Sequence, residues 1–433
     1  MRAEPRKLVL VVDRGERQSR LCRSFRHWRL HCGRSDRHEP RVLRRFPLNT
    51  LAALAGVALV AVFGTAQPAV IGGAELGGRG VIVNYPASGS YQRLPGIQAS
   101  AWVIADAGTG QVLAAKDPHG QFLPASTLKV LTAVSLIPVL NPGSTVTATK
   151  LAAGQTPNDI GLLAGHSYQV SELFTALLTI SANDAAVALT QATGSLTGGM
   201  ALINAEARHL QADDTNAVDP NGLDAPGQHT SAYDLALIAR AALQLPAFMK
   251  YDQTEGGLFP ITAHKKVGLW NQNALLTDYP GGIGGKIGWT SAAGATYVGM
   301  ARRNGVTLIV TLLHCPALTE INSAEKLLDW GFAEDGKVAP AGALVQPLPT
   351  AAQQAAAAAQ AAKRAAAALA NRPSRTSAHG KLASPSVLAA SGFTALAVVA
   401  AGLAFAYSAR TRRRRQQSPL PLTQLQADAR VEH

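Results

Sequence analysis

Residues 97–340 alternate between strand-like and helix-like hydrophobic patterns. Apolar runs at about 99–106 and 110–115 predict an opening pair of strands. The later elements are predicted as helices over 130–137 and 231–243, strands at about 295–301 and 305–314, and a helix at about 322–331. Strands from both ends of one segment, with helices between them, predict an α/β (α+β) sandwich in which an antiparallel sheet is covered by helices and adjoins an all-helical lobe.

Two apolar segments lie outside this region. Residues 51–63 are short for a membrane span and precede small residues, which predicts a secretory signal cleaved after Ala66 or, alternatively, an uncleaved anchor. Residues 387–407 form an uncharged stretch of 21 residues, enough for a helix to cross about 30 Å of hydrocarbon. Residues 351–369, before this stretch, are almost all alanine, which forms helix readily but offers no apolar stripe to bury.

The net charge of +13 is confined to the two ends of the chain. Residues 1–46 hold 14 Lys/Arg against 5 Asp/Glu, and residues 408–433 hold 6 against 2, so the remainder is neutral. Basic residues beside an apolar segment mark the cytoplasmic side of a membrane. The large domain is therefore predicted outside the cell membrane, and nucleic acid is not a predicted partner. A mis-assigned start is the alternative explanation of the first segment.

The predicted organisation has seven parts, which follow from these patterns. They are a basic N-terminal segment (1–46), a signal peptide or anchor (47–66), a flexible lead-in (67–96), one large domain (97–340), an alanine-rich stalk and linker (341–386), a transmembrane helix (387–407) and a basic cytoplasmic tail (408–433).

A serine and a lysine, Ser126 and Lys129, stand one helical turn apart at the start of an apolar helical run. Side chains at i and i+3 share a helix face, so the lysine can take the serine's proton. It can do so only as a neutral amine, and burial lowers the pKa of a lysine because the charged form loses its hydration. The motif therefore predicts an activated serine, although the same spacing recurs at Ser323 and Lys326 in a polar helix.

Two further motifs follow in order along the chain. An S-x-N motif, Ser181 with Asn183, begins an apolar helical run, and a K-x-G motif at Lys286 lies in a glycine-rich turn that enters a strand. Taken singly, the serines could be helix caps and the lysines ordinary surface charges. Taken together and in this order, the motifs predict one site built around a serine nucleophile.

With these motifs the chain resembles the D-alanyl-D-alanine carboxypeptidases, which are low-molecular-mass penicillin-binding proteins. Segments similar to this family also lie at 101–113, 219–223, 229–236 and 270–276. The resemblance covers about 97–332 and implies a β-lactamase/transpeptidase-like fold without a cofactor or metal. It also implies a peptidoglycan stem peptide as substrate and β-lactams as covalent inhibitors.

The resemblance implies a role for each motif residue. The implied catalytic residues are Ser126 as nucleophile, Lys129 as its base and Ser181 as a proton relay. The implied binding groups are the side chains of Asn183, Lys286 and Thr290 for the substrate, and the backbone amides of Ser126 and Trp289 for the oxyanion. The implied reaction removes the terminal D-alanine of a stem peptide through a seryl acyl-enzyme.

The third motif departs from the family pattern at Ile287. The family has threonine there, whose hydroxyl helps hold the terminal carboxylate of the substrate. Isoleucine donates no hydrogen bond, so Lys286 or Thr290 is expected to carry more of this recognition. The loss of such a partner costs about 1–3 kcal/mol, which predicts a different substrate preference, weaker penicillin binding or lower activity.

Two alternatives share this fold. A β-lactamase would need a glutamate to activate the deacylating water, and Glu206, the most suggestive candidate, lacks the expected asparagine four residues later. A non-catalytic β-lactam or wall-peptide sensor is favoured by Ile287 and disfavoured by the short basic tail. No G-x-S-x-G, H-E-x-x-H or paired Cys/His spacing indicates another hydrolase or a metal site.

Overall fold

The computed structural model describes residues 70–370, and its strands and helices are numbered in chain order. The strands are β1 (Val81–Val83), β2 (Ala101–Asp106), β3 (Gln111–Lys116), β4 (Thr145–Thr147), β5 (Ser167–Gln169), β6 (Gly256–Pro260), β7 (Lys266–Trp270), β8 (Gly282–Thr290), β9 (Gly294–Arg303), β10 (Val306–Cys315) and β11 (Gly342–Ala343). The helices are α1 (Leu128–Leu136), α2 (Lys150–Ala153), α3 (Val170–Thr179), α4 (Asn183–Gln191), α5 (Leu196–His209), α6 (Ala232–Leu243), α7 (Pro246–Asp252), α8 (Ala274–Asp278), α9 (Glu320–Glu334) and α10 (Ala351–Ala370).

The main sheet joins strands from both ends of the domain. Its order is β1-β3-β2-β10-β9-β8, its adjacent strands are antiparallel, and β11 pairs with β3 beside β1. The early strand β2 and the late strand β10 lie side by side, in register from Leu308 opposite Asp106 to Leu313 opposite Ala101. Strand β8 forms the opposite edge, and its outer side has no strand partner among the described residues.

Both faces of the sheet are buried. Successive side chains of a strand point to opposite faces, and each face is covered by its own apolar cluster. On one face, Val103 and Ala105 pack with apolar residues of α1, α3, α4 and α6. On the other face, Trp102 and Ile104 pack with residues of α9. Every residue of α1 is buried, including the polar side chains of Lys129, Thr132 and Ser135. The antiparallel sheet covered by helices is therefore confirmed.

The structure corrects the predicted boundaries of the domain. In the predicted flexible lead-in, 67–96, Leu76 is fully buried and β1 pairs with β3. Beyond the predicted end of the domain, β11 pairs with the same strand and Leu344 is buried. These strands have two or three residues, which is too short for the alternation that identifies a strand in a sequence.

The alanine-rich segment forms α10, and its side chains are exposed over 351–367. The signal segment, the transmembrane helix predicted at 387–407 and both basic tails lie outside the described residues. Within residues 70–370, no single helix has both the length and the apolar composition needed to cross a membrane. The pair α4 and α5 meets these two criteria together, across a bend of 97°.

Candidate active site

Ser126 lies in a 3-10 turn, Ala125–Thr127, that continues directly into α1. Ala125 has a φ of 46°, a left-handed conformation that is uncommon for a residue with a Cβ. Two threonine hydroxyls, of Thr127 and Thr296, donate to the carbonyl of Pro124 and fix the start of this turn. The turn therefore holds the half-buried Ser126 side chain at the boundary between α1 and the sheet.

Lys129 is fully buried in the first turn of α1 and reaches back to Ser126. Its Nζ donates to Ser126 Oγ at 2.8 Å, to Asn183 Oδ1 at 2.8 Å and to the carbonyl of Asn221 at 2.7 Å. An ammonium group has three donors, so these acceptors satisfy all of them. The predicted i, i+3 contact between the serine and the lysine is present in the structure.

The pKa of Lys129 lies well below that of an ordinary lysine. Burial is the main cause, and the positive charge of Lys286 adds to it, whereas Asp219 acts in the opposite direction. No carboxylate of the described residues forms an ion pair with Lys129 within 4.0 Å. The amine is therefore placed to exist in its neutral form, which is the form that accepts a proton.

A turn at 219–222 presents the Asn221 carbonyl to Lys129. The Asp219 carboxylate accepts from the backbone N–H groups of Asn221 and Gly222, at 2.7 and 2.8 Å. Gly222 has a φ of 83°, and a Cβ there would overlap the carbonyl of Ala125. In the sequence this segment is marked only by its similarity to a family, and nothing in it predicts the contact with the lysine.

The S-x-N motif lies between α3 and α4. Ser181 has a φ of 64° and is almost fully buried, and its Oγ has no hydrogen-bond partner among the described residues. Asn183 begins α4, accepts from Lys129, and donates from Nδ2 to the carbonyl of Thr156 at 2.9 Å. Protein atoms thus contact both ends of the Asn183 amide, while the Ser181 hydroxyl remains unengaged.

Lys286 is buried on β8, and its Nζ donates to the carbonyl of Ile287 at 2.7 Å. Burial lowers the pKa of Lys286 to about 7, although the charge of Asp252 acts in the opposite direction. Asp252, at the end of α7, is also buried, which raises its own pKa to about 7. Its Oδ2 accepts from the N–H of Gly285 at 2.7 Å. This acid was missed, because a single aspartate in 250–253 has no distinguishing pattern.

Strand β8 passes directly beside the start of α1. A Cβ on Gly288 would lie 2.7 Å from the backbone nitrogen of Ser126 and 2.9 Å from that of Thr127. Only glycine allows this approach, and it brings the backbone just before Trp289 next to Ser126. The Trp289 side chain itself is exposed. The two backbone amides predicted for the oxyanion hole are thus on adjoining segments.

The outer part of β8 carries Thr290 and Ile287. The Thr290 hydroxyl donates to Asp224 at 2.7 Å and accepts from the N–H of Ala293 at 2.9 Å, so its hydrogen is directed to a protein carboxylate. Ile287 is half-buried and packs against the apolar cluster on the α9 face of the sheet. Of the two groups expected to replace the missing hydroxyl, Lys286 has no ion-paired carboxylate within residues 70–370, whereas Thr290 bonds to Asp224.

The other candidates from the sequence lie apart from this cluster. Glu206 is on α5 and contacts His209 at 3.3 Å. Ser323 and Lys326 are on α9, on the opposite face of the sheet from α1. Among the described residues there is also no group of three or more His, Cys, Asp or Glu side chains suited to a metal ion.

The chain is similar in sequence to D-alanyl-D-alanine carboxypeptidases. The family model for D-alanyl-D-alanine carboxypeptidase matches residues 89–316. The chain is 38% identical, over 55% of its own length and 84% of the relative's, to D-alanyl-D-alanine carboxypeptidase DacB2 of Mycobacterium tuberculosis. It is 28% identical to DacF of Bacillus subtilis and covers 63% of that carboxypeptidase.

A solved structure extends the similarity to the fold. The crystal structure of a D-alanyl-D-alanine carboxypeptidase from Mycobacterium tuberculosis H37Rv superposes with a TM-score of 0.57 at 36% identity. The match covers 62% of this chain and all of that one. The matched family region contains the nucleophile turn, the S-x-N motif and the whole of β8, β9 and β10. The chain therefore belongs to the D-alanyl-D-alanine carboxypeptidase family.

Proposed function

We propose that this protein is a serine-type D-Ala-D-Ala carboxypeptidase that removes the terminal D-alanine from peptidoglycan stem pentapeptides. The observation that carries the proposal is the contact between Ser126 Oγ and a fully buried lysine whose pKa is strongly lowered. Family membership supports the same reaction and supports β-lactams as covalent inhibitors. The three acceptors of Lys129 in the described part of the chain are a serine, an asparagine side chain and a backbone carbonyl, and the β-lactamase alternative relies on a glutamate instead.

The acylation step follows from the arrangement at Lys129. Neutral Lys129 takes the Ser126 proton as Oγ attacks the scissile carbonyl, and the peptide C–N bond then breaks. The proton passes to the leaving amine of D-alanine, and the unengaged Ser181 hydroxyl is the relay we assign to this transfer. Water hydrolyses the resulting ester and restores the serine.

Charge stabilisation comes from the junction of α1 and β8. The backbone amides of Ser126 and Trp289 are assigned to the oxyanion, because Gly288 lets their segments approach. One such donor is typically worth about 3–4 kcal/mol of the barrier. Asn183 is assigned a positioning role toward Lys129, since its amide oxygen accepts from that amine. Lys286, which forms no ion pair with any carboxylate that the structure describes, is assigned to the carboxylate of the substrate.

We also propose that the catalytic unit acts on the outer side of the cell membrane, held by a single C-terminal span at 387–407. The 21 uncharged residues and the basic residues after them support this placement. A helical stalk, α10, precedes the proposed span.

Deleting residues 387–433 tests the proposed membrane span. We expect the full chain in the membrane fraction of cells and the shortened chain in the soluble extracytoplasmic fraction, with D-alanine release unchanged in both. Retention of the shortened chain in the membrane would assign the attachment to residues 51–63 instead.

Ser126→Ala tests the nucleophile. We expect D-alanine release from a stem pentapeptide to fall by at least about a thousandfold, and labelling by a fluorescent penicillin to disappear. Ser323→Ala, in the second S-x-x-K spacing, is the matched control and should keep both activities. Persistent labelling of the wild-type protein without D-alanine release would instead support the sensor.

Ile287→Thr tests recognition of the terminal carboxylate. The added hydroxyl should raise kcat/KM for a peptide ending in D-Ala-D-Ala by about tenfold, equivalent to about 1.4 kcal/mol. Ile287→Val has nearly the shape of threonine without its hydroxyl and should leave kcat/KM unchanged. A gain of the same size with valine, or with a substrate whose carboxylate is amidated, would contradict this role.

The pH dependence of kcat/KM tests the two lysines. Activity should fall at acid pH as Lys129 gains a proton, and at alkaline pH as Lys286 loses its charge, with the second limb near pH 7. Asp252→Asn removes a negative charge that favours the Lys286 ammonium, so its pKa should drop and the alkaline limb should move to lower pH. Asp329→Asn, on α9, is the control, and an unmoved limb in Asp252→Asn would refute the assignment.

A further inference from the structure

The β6–β7 hairpin has one buried face and one exposed face. Phe259 and Leu269 are buried in the main core. In the register of the hairpin, Gly256 is opposite Trp270 and Leu258 is opposite Gly268, so these four residues share the other face. On that face Trp270 is 75% exposed and Leu258 is 69% exposed. The hairpin therefore presents an indole ring to solvent beside an exposed leucine.

Two glycines allow the Trp270 indole to lie against the hairpin backbone. A Cβ on Gly256 would lie 2.7 Å from Cε3 and 3.0 Å from Cζ3, in the six-membered ring. A Cβ on Gly268 would lie 3.3 Å from Nε1 and 3.9 Å from Cδ1, in the five-membered ring. Both rings thus lie over positions without side chains, and most of the Trp270 surface is exposed. We call Trp270, Gly256 and Gly268 the indole platform.

The chain directly after the indole platform is hydrogen-bonded to two segments that adjoin the candidate active site. Directly after Trp270, the Asn271 side chain donates to the carbonyl of Asp252 at 2.7 Å, and the N–H of Gln272 donates to the carbonyl of Thr179 at 3.0 Å. Asp252 bonds to the strand that carries Lys286, and Thr179 is two residues before Ser181. A polymer bound through its peptide at the active site would therefore pass close to this hairpin.

We propose that the indole platform binds a sugar ring of the glycan strand to which the stem peptide is attached. This inference rests on the proposed function, because that function supplies a substrate in which peptide and sugar are joined. One face of a pyranose ring carries mainly C–H groups, and packing it on a flat indole releases water from both apolar surfaces. An indole that lies along its own strand is suited to stacking, whereas a membrane-inserting tryptophan has to project from the surface.

Charge at the end of the hairpin fits the same ligand. His264, Lys265 and Lys266 are exposed in and beside the turn. Stem peptides bear carboxylates along the glycan strand. These basic residues should therefore speed association of the polymer and slow its dissociation, most strongly at low salt. Free pentapeptide offers no sugar to the platform and should not depend on it.

The test compares one peptide in two forms, free and attached to glycan chains of one, two and four disaccharides. With the wild-type protein, we expect KM for D-alanine release to fall as the glycan lengthens. Trp270→Ala should raise KM for the longest chain by about tenfold, equivalent to about 1.4 kcal/mol, with kcat unchanged and with free pentapeptide unaffected. Gly268→Val, which keeps the indole but pushes it off the strand, should give the same change. Leu318→Ala removes an exposed leucine from another surface and should change nothing.

Binding without turnover separates this inference from the proposed function. In calorimetry, wild-type protein should bind peptide-free glycan oligomers, and Trp270→Ala should not, even if no D-alanine is released from any substrate. The proposal would be overturned if Trp270→Ala changed KM equally for free and glycan-linked peptide. It would also be overturned if this variant left both KM values and the binding of glycan oligomers unchanged. Loss of binding to anionic phospholipid vesicles in Trp270→Ala, with glycan binding intact, would also overturn it and assign the surface to lipid.

Discussion

The buried amine of Lys129 is the constraint on which the rest of this structure depends. A charged ammonium inside a protein is costly unless it is paired, and no carboxylate pairs with this one among the described residues. The fold instead surrounds it with neutral oxygen atoms from a serine, an amide side chain and a backbone carbonyl. These oxygens satisfy the amine and orient it toward Ser126, while burial and the charge of Lys286 lower its pKa.

Two close backbone contacts make this arrangement possible. Gly222 lets the 219–222 turn meet Ala125, and Gly288 lets β8 meet the backbone of Ser126. Each contact joins segments distant in sequence to the short turn before α1. Because both positions exclude a Cβ, a substitution at either would move the neighbours of the nucleophile without changing any motif residue.

The sequence predicted those parts of the site in which local pattern and chemistry coincide. Ser126 and Lys129 share a helix face by spacing alone, and the long strands β9 and β10 show clear apolar runs. Asp252 and the Asn221 carbonyl could not be predicted, because their roles come from tertiary contacts that leave no periodic signal. The hydrogen bond from the Thr290 hydroxyl to Asp224 could not be predicted either, because it joins residues far apart in the chain.

The positions at which the chain enters and leaves the sheet also have a consequence for experiments. β1 and β11 both pair with β3 at one edge, whereas β8 forms the other edge. Leu76 and Leu344, just outside these two short strands, are buried, so affinity tags belong at about residue 70 or after residue 350. Both positions follow from the β3 edge of the sheet, opposite the β8 edge that carries Lys286. Such fusions should leave large polymeric ligands free to enter, which suits the protein to immobilised or single-molecule assays.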